Sequence, residues 1–443
     1  MKKLNVYAFV PAKGSSERVA NKNMRFLDGD RLFIRALKTL LKCKEVDRVF
    51  LDTESEEMFK MCDFLPITFM KRDVALATNK TDGHQMFMNE VRSFPDGDIY
   101  VQLLCTSPFI RPETIDSAIR KLRESDDYDS AILMRKEKCY LWKDGKPSYD
   151  INHIPNSKDL PDTVTESMGL YIQKKESAIA TNRRYGDKPF LVYGSAEELV
   201  DVNTPEDLSF AELVAYGRRE EENIRLEMLK HMMESAAISD VLDDMRIECG
   251  EECGCVLPGW VSNSSGRRRK VIGRATTLKL RRLNDGEDFR GIYGALKSYE
   301  GMTRNSVICV QNDVSENAYF GGLNARLAIR SGAVAAIIDG VTRDERDTAL
   351  LDFPVYSRGY NPQDVRRRAT LDYMHKPIRI GGVRISPGDL IFIDDGAVVV
   401  IYQKFESEVI ERVCKTFASE SEISSDIMHG IGTDNIVANH GDF

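Results

Sequence analysis

Residues 6–23 read VYAFVPAKGSSERVANKN. An apolar run, VYAFV, stops at Pro11. A small-residue loop then carries Lys13, Arg18 and Lys22, with only Glu17 against them. A strand that ends in such a loop is the first piece of an α/β fold if helices and further strands follow it. They do. RVFLDT, IYVQLL and SAILM read as strands, and RLFIRALKTLLKC, DGHQMFMNEVRSF and RPETIDSAIRKLRES place apolar residues at helical spacings of three and four. The last of these opens with Pro112 and Glu113, which suit a first helical turn. Strand–helix alternation predicts a mostly parallel sheet with helices on both faces. Ligands of such sheets bind outside the carboxyl ends of the strands, where the Lys13 loop lies.

The loop has two readings. It is neither G-x-x-x-x-G-K-[ST] nor G-x-G-x-x-G. The backbone amides of Gly14, Ser15 and Ser16 can nonetheless face an anion, and three cations suit a triphosphate. Asn23 offers both a donor and an acceptor, fit to read a base or a sugar. The alternative is a solvated turn.

The 443 residues are too many for one core and predict two or three domains. A hydrophobic content of 42% with 30% charged residues is that of an ordinary globular chain. No apolar run approaches the roughly 18 residues that span a bilayer, so no membrane partner and a cytoplasmic location are expected. A formal charge of −8 argues against a nucleic-acid partner. The short run GRRRK, 266–270, reads as a solvated loop. Nine cysteines, mostly scattered, fit reduced thiols. The cluster ECGEECGC, with Cys249, Cys253 and Cys255, lacks metal-site spacing and a fourth ligand, and reads as a turn with small buried thiols.

Residues 206–245 read as a long helical connector. Its charged middle suits a solvated bridge, with possible breaks at Gly217 and Ser235. After Gly250 short β-rich runs dominate, with LNARLAIRSG as a helix ending at Gly332. From about Ser419 the periodicity weakens and the tail is expected to be poorly ordered.

The cradle VPAKGSSERVANKN resembles the A-R-G-G-S-K-R-x-x-x-K-N signature of the acylneuraminate and 3-deoxyoctulosonate cytidylyltransferases. Further segments resemble that family in the same order: LDTESEEM, LLCTSPFIRPETIDSAI, ESMGLYIQKKES and LVDVNTPEDLSFAELV. The resemblance covers residues 5–215. It implies a Rossmann-like nucleotidyltransferase sheet and transfer of CMP from CTP to an acidic keto-sugar, with release of pyrophosphate. It implies Lys13 and Arg18 on the phosphates, Lys22 and Asn23 at the nucleotide, and Gly14, Ser15 and Gln102 in substrate binding. Asp201 and Asn203 would hold Mg²⁺. There are departures from the family pattern. Lys13 stands where the family has arginine, so a forked phosphate contact becomes a point charge. Glu17 replaces a lysine, Leu104-Cys105 replaces Gln-Pro, and Asn203 replaces a second metal aspartate. Gln102, two residues before Leu104, shares its face on a strand.

A second constellation lies in GGLNARLAIRSGAVAAIIDGVTRDERDTALLDFPVYSRG, 321–359. Arg343 can hold a carboxylate through two hydrogen bonds, Asp344 can ligate a divalent cation beside it, and Gly321, Gly322 and Leu323 open a helix whose amides face an anion. That set suits a 2-keto acid whose carbonyl the metal polarises; a surface Arg–Asp turn is the alternative. In order, AAISDVLDDM, VIGRATTLKL, GGLNA, DGVTRD, FPVYSRG and IGGVRISPGDLIFIDDGAVVV resemble the RraA-like family, over roughly 228–403. That family includes class II pyruvate aldolases, oxaloacetate decarboxylases and a ribonuclease inhibitor. The resemblance implies a β/β/α domain that assembles as trimers or hexamers, with substrate on Arg343, Gly322 and Leu323 and Mg²⁺ on Asp344. Gly322 departs from the many members that carry an acid there.

The expected organisation is a cytidylyltransferase domain at 1–215, a helical connector at 216–227, an RraA-like domain at 228–405 and a partly disordered extension at 406–443. Two readings of the whole stay open. Both halves are enzymes acting on related keto acids, or the second is an oligomerisation or regulatory module.

Overall fold

The computed structural model describes residues 4–15, 21–78, 80–259, 262–263, 269–395 and 397–441. It divides into two compact units, Met1–Ala215 and Tyr216–Phe443.

The first unit is built on strand β1 (Val6–Pro11), every residue of which is buried. A strand covered by helices on both faces needs an unbroken apolar run, and VYAFV supplies it. Strands β2 (Arg48–Thr53), β3 (Thr68–Lys71), β4 (Ile99–Leu103), β5 (Ser130–Glu137), β6 (Thr163–Lys174) and β7 (Pro189–Tyr193) complete a seven-stranded sheet. Its order is β7-β5-β6-β4-β1-β2-β3. β6 is antiparallel to both neighbours, and the remaining pairs are parallel. The sheet is therefore mixed.

Its two faces are filled differently. Val6, Ala8 and Val10 point into an aliphatic core with helices α1 (Leu32–Leu41) and, after α2 (Glu56–Cys62) and α3 (Gly83–Ser93), α4 (Pro112–Glu124). Tyr7 and Phe9 point the other way, into an aromatic cluster with Phe50, Tyr100 and Phe87 of α3. The Phe9 and Phe50 rings stack with centroids 4.6 Å apart, a contact worth about 1 kcal/mol beyond its buried area. Helix α3 starts where Asp82 and Gln85 form a reciprocal capping box, and α4 starts at Pro112. Short helix α5 (Lys175–Thr181) links β6 to β7.

The boundary between the units falls inside one helix, α6 (Pro205–Met232). This corrects the solvated connector expected at 216–227. Gly217 does not interrupt the helix, and the break comes before helix α7 (Ser235–Cys249). The charges there are engaged rather than solvated. Glu222 accepts from Arg274 Nε at 2.9 Å, Glu220 accepts from Arg304, and buried Asn223 accepts from Asn305 Nδ2 at 2.8 Å. Leu226 and Leu229 join a core of the second unit.

That unit holds a nine-stranded sheet. A parallel stretch runs through β9 (Val271–Arg282), β10 (Ser306–Asn312), β11 (Ala333–Asp339) and β12 (Val355–Ser357), with Ser262–Asn263 at its outer edge. Antiparallel additions are β8 (Gly254–Val256), β13 (Ala369–Met374), β14 (Leu390–Ile393) and β15 (Val398–Ile401). Helices α8 (Gly322–Arg330) and α9 (Glu345–Leu350) lie between the parallel strands in sequence.

The expectation of a disordered tail is also corrected, because α10 (Glu406–Met428) and α11 (Thr433–His440) fill it. Val409 and Val413, four apart, are fully buried in a core with Val241, Leu242 and Met245 of α7. Arg412 grips Glu248 and Glu408, and His440 Nε2 lies 3.0 Å from Asp426 Oδ2. Among the described residues of these two helices the only other buried apolar side chains are Ile423 and Ile436, which leaves the sequence pattern sparse there.

Candidate functional site

In the first unit the loop after β1 is held at both ends. Ala12 N–H continues the β1–β2 ladder to Asp52 O at 2.9 Å. Gly14 N–H donates to Glu54 Oε1 at 2.7 Å. Lys13 and Gly14 are half-buried and Ser15 is exposed. Arg18, with Ser16 and Glu17, lies outside the described residues. The chain re-enters at Asn21, in the left-handed region at φ 53°, and turns through Lys22–Met24.

Lys22 and Asp201 come together. Lys22 Nζ donates to Asn203 Oδ1 at 3.3 Å, and Asn203 Nδ2 donates to Asp201 Oδ2. Asp207, in the first turn of α6, accepts from the Asn203 and Thr204 amides at 2.9 and 2.8 Å and fixes that backbone. The carboxylate of Asp207 is held below its usual range, chiefly by the Asn203 amide. Upstream, Glu198 ties the same segment to the start of α4. It accepts from Arg111 N and Nη2, Thr114 Oγ1, and Ser195 N and Oγ.

Two predicted substrate residues are hydrogen-bonded within the chain. Asn23 is buried. Its Nδ2 donates to Lys13 O at 2.9 Å and its Oδ1 accepts from Cys105 Sγ at 3.3 Å. Both of its polar ends fasten the loop. Gln102 is buried in β4 and donates to Glu90 Oε2 at 2.9 Å. It turns toward α3, because alternation along the strand sets it on the Tyr100 face. The Cys105 thiol, also buried, is pushed up to about 12 by desolvation, against the lowering charges of Lys22 and Arg72. It is no nucleophile.

Four residues went unread in the sequence, Arg72, Asp52, Glu90 and Glu54. Arg72, with a side chain 1% exposed, bonds Asp52 through Nε at 2.9 Å and its carbonyl through Nη2 at 2.6 Å. Its Nη1 is buried without a hydrogen-bond partner among the described residues. Glu90 is fully buried, and desolvation followed by the charge of Asp52 holds it well above the carboxylate range. Asp52 is raised by burial too, against the lowering effect of Arg72. Glu54 is the fourth. The available signal was a charge placed directly at the end of an apolar strand, as in LDTE and MKRD.

In the second unit the predicted residues cluster. Arg343 and Asp344 follow the short strand Val341–Thr342, and Arg343 N–H donates to Phe320 O at 3.1 Å. That bond sets them beside the start of α8. Asp344 adopts φ 60°, a strained left-handed conformation for a residue with a side chain. Its Oδ2 accepts from Gly322 N–H at 3.0 Å. The Arg343 guanidinium reaches Asp364 Oδ2 at 2.8 Å and lies 3.8 Å from Asp344 Oδ2. A Cβ on Gly321 would stand 2.5 Å from Asp344 Oδ2, so only glycine permits this approach. A Cβ on Gly322 would meet Asp347 Oδ2 at 2.8 Å. A carboxylate from α9 thus sits where an acidic side chain at 322 would project. Leu323 is exposed.

No group of three or more His, Cys, Asp or Glu side chains is arranged to hold a metal among the described residues. That includes the cysteine cluster, where Cys249 and Cys253 Sγ are 3.6 Å apart. Asp201 and Asp344 each offer one carboxylate, whereas Asn203 Oδ1 accepts from Lys22 Nζ and its Nδ2 end faces Asp201. Such donor sets fit Mg²⁺ carried largely by water and ligand oxygens, its usual mode. A concavity of about 340 Å³ lined by Glu234, Ser235, Arg269, Lys270 and Asp394 contains none of the predicted residues. No helix among the described residues is long and apolar enough to cross a membrane.

Comparison with known families assigns the two regions. Residues 7–140 match the family model described as Cytidylyltransferase, and residues 235–400 match the one described as Aldolase/RraA. The chain therefore carries a cytidylyltransferase-type region followed by an RraA-like region, as the motif order implied. Protein DlpA of Legionella pneumophila is 29% identical over 198 residues, which cover 44% of this chain and 30% of that protein. N-acylneuraminate cytidylyltransferase of Streptococcus agalactiae is 22% identical over 229 residues, covering 48% of this chain and 55% of that enzyme. The chain thus spans under a third of the first relative and about half of the second. The crystal structure of Streptomyces coelicolor RraAS2, a member of the RNase ES inhibitor RraA family, aligns with a TM-score of 0.37 at 20% identity, over 46% of this chain and 96% of that one.

Proposed function

We propose that the first unit is a CTP-dependent cytidylyltransferase that activates an acidic 2-keto sugar of the sialic or octulosonic class. The observation that carries this reading is the chain Lys22–Asn203–Asp201, which draws the cationic loop to a carboxylate at the strand ends. In the reaction the sugar's anomeric hydroxyl attacks the α-phosphate and pyrophosphate departs. The work of the protein is positioning and charge stabilisation. Lys13 and Lys22 offset phosphate charge, Asp201 would hold Mg²⁺, with Asn203 joining it only if its amide turned from Lys22, and Asn23 keeps the loop in shape. Arg18 completes the cradle in this proposal. Bound Mg²⁺ neutralises charge on the phosphate oxygens. The streptococcal relative's name and the Cytidylyltransferase match support the nucleotide and sugar class.

The test is pyrophosphate release with CTP, Mg²⁺ and a panel of acidic 2-keto sugars. Release with one of them, and a clear preference for CTP over ATP and UTP, is expected. Equal use of the three nucleotides refutes the assignment.

For the second unit we propose a Mg²⁺-dependent lyase acting on a 2-keto acid, with its carboxylate on Arg343 and Asp344 next to its carbonyl. The clustering of Arg343, Asp344, Gly321 and Gly322, with a strained Asp344, favours this over a plain oligomerisation module. Arg343→Ala abolishes cleavage or decarboxylation if the reading holds. Wild-type protein inactive on every 2-keto acid tried leaves the assembly role in its place.

A further inference from the structure

The amide that a phosphate would need in the first unit already holds an anion. Gly14 N–H donates to Glu54 Oε1 at 2.7 Å, and Gly14 directly follows Lys13 in the loop. Glu54 arrives there because β1 and β2 are parallel neighbours in the register Pro11↔Asp52. The Ala12–Asp52 bond carries the pairing one step further, so the residue two places beyond Asp52 projects over the loop. The fit is close. A Cβ on Gly14 would lie 3.0 Å from Ser55 Cβ and 3.3 Å from Glu54 Oε1.

The carboxylate is an incomplete occupant of this place. Its second oxygen, Oε2, is buried and has no hydrogen-bond partner among the described residues. A buried carboxylate oxygen left unbonded costs free energy. Its negative charge also reaches Asp52, whose protonated form it favours. A group that only braced the loop would need neither the charge nor the unbonded oxygen. A neutral acceptor would serve.

We propose that Glu54 is a gate on the phosphate loop, an internal carboxylate that occupies the Gly14 amide in the ligand-free protein and is displaced by an incoming polyphosphate. This rests on the nucleotide reading of the first unit and adds the residue that sets how tightly that site holds phosphate. No bond is made or broken in the exchange. The Gly14 N–H passes from a carboxylate oxygen to a phosphate oxygen, and the freed carboxylate turns to solvent. The unneutralised charge of Glu54 opposes every phosphate that approaches. Its removal strengthens binding, whereas removal of a brace weakens it.

The test is calorimetric titration of the full chain with inorganic tripolyphosphate and, separately, with CTP, on wild type, Glu54→Gln and Glu54→Ala. One charge a few ångströms from a phosphate and screened largely by water, as it is once the carboxylate has turned to solvent, is worth about five- to tenfold in affinity. The gate predicts about five- to tenfold tighter binding of tripolyphosphate and of CTP in both variants, because the base and sugar contacts of CTP are unaffected and cancel in the ratio. Unchanged binding in Glu54→Gln with weaker binding in Glu54→Ala makes Glu54 a brace and overturns the gate alone. Absence of CTP binding in wild type and both variants overturns the nucleotide reading, and the gate with it. Circular dichroism of each variant separates a lost fold from a lost interaction, and Glu54→Asp, which keeps the charge but shortens its reach, is expected to fall between wild type and Glu54→Gln.

Discussion

Glu198→Gln tests how the candidate Asp201 site is held. The Glu198 side chain is 2% exposed, so solvent does little to screen it. Burial alone would raise its pKa, but hydrogen bonds from Arg111, Thr114 and Ser195 outweigh that and lower it from 4.5 to about 2. A displacement of that size corresponds to roughly 3 kcal/mol of stability, since each pKa unit is worth about 1.4 kcal/mol. The folded value is depressed, so the contribution is complete above the unfolded pKa of about 4.5 and is lost as the pH falls toward 2. Protonated glutamate and glutamine are both neutral acceptors. The variant should therefore be about 3 kcal/mol less stable near pH 7, with the gap shrinking to roughly half by about pH 3. Urea unfolding followed by hydrogen exchange of peptides spanning 111–124 and 195–203 reads this locally, which matters in a chain with two units. A difference below about 1 kcal/mol near pH 7, or one that does not change with pH, refutes the argument.

Glu90→Gln should act in the opposite sense. The raised folded pKa of Glu90 gives stability that is present below its unfolded value and lost as the pH rises, so the neutral isostere should melt higher than wild type in alkaline buffer and about equally near pH 4. Arg274→Met removes one of the two arginines that bond Glu222 and Glu406, leaving Arg219 on the first and Arg225 on the second, and should cost about 1–3 kcal/mol by thermal melting, with increased exchange in α10. Gly321→Ala places a methyl 2.5 Å from Asp344 Oδ2 and should lower 2-keto acid turnover at least tenfold by steady-state kinetics while leaving CTP-dependent pyrophosphate release intact. Lys13→Ala should raise the KM for CTP about tenfold in the pyrophosphate assay, whereas Lys13→Arg, which restores a forked donor, should lower it.

The strands of the first sheet were legible because strands buried on both faces must be continuous apolar runs, and VYAFV, IYVQL and SAILM are such runs. The α3 start was legible for a local reason as well, since Asp82 and Gln85 cap it within four residues. What escaped was long-range pairing of charge. Arg72 and Asp52 look like surface residues in sequence, and only the parallel β2–β3 register places them side by side in the interior. The same holds for Glu222, read as part of a solvated bridge, whose partner Arg274 lies 52 residues away. The intrachain bonds of Asn23 escaped as well, because its donor and acceptor suit a ligand equally well in sequence. The structure spends both on Lys13 and Cys105.

Both candidate sites share one feature. Three donors expected to meet an anionic ligand meet carboxylates of their own chain: Gly14 N–H meets Glu54, Gly322 N–H meets Asp344, and the Arg343 guanidinium meets Asp364. An amide or guanidinium placed in a half-buried cleft must be satisfied in the absence of ligand, and a carboxylate does this at short range. Binding is then an exchange of one anion for another, and observed affinity is the difference between two similar interactions. Exchange favours ligands that bring more charge or more oxygens than the carboxylate they replace. A triphosphate does so at Gly14. At Arg343 the incoming 2-keto acid matches Asp364 in charge and gains only through its carbonyl oxygen. The second site should therefore bind its ligand weakly without a divalent cation, and Asp364→Asn should tighten pyruvate binding in Mg²⁺-free buffer, a gain that calorimetry measures directly and that a purely structural Asp364 would not give.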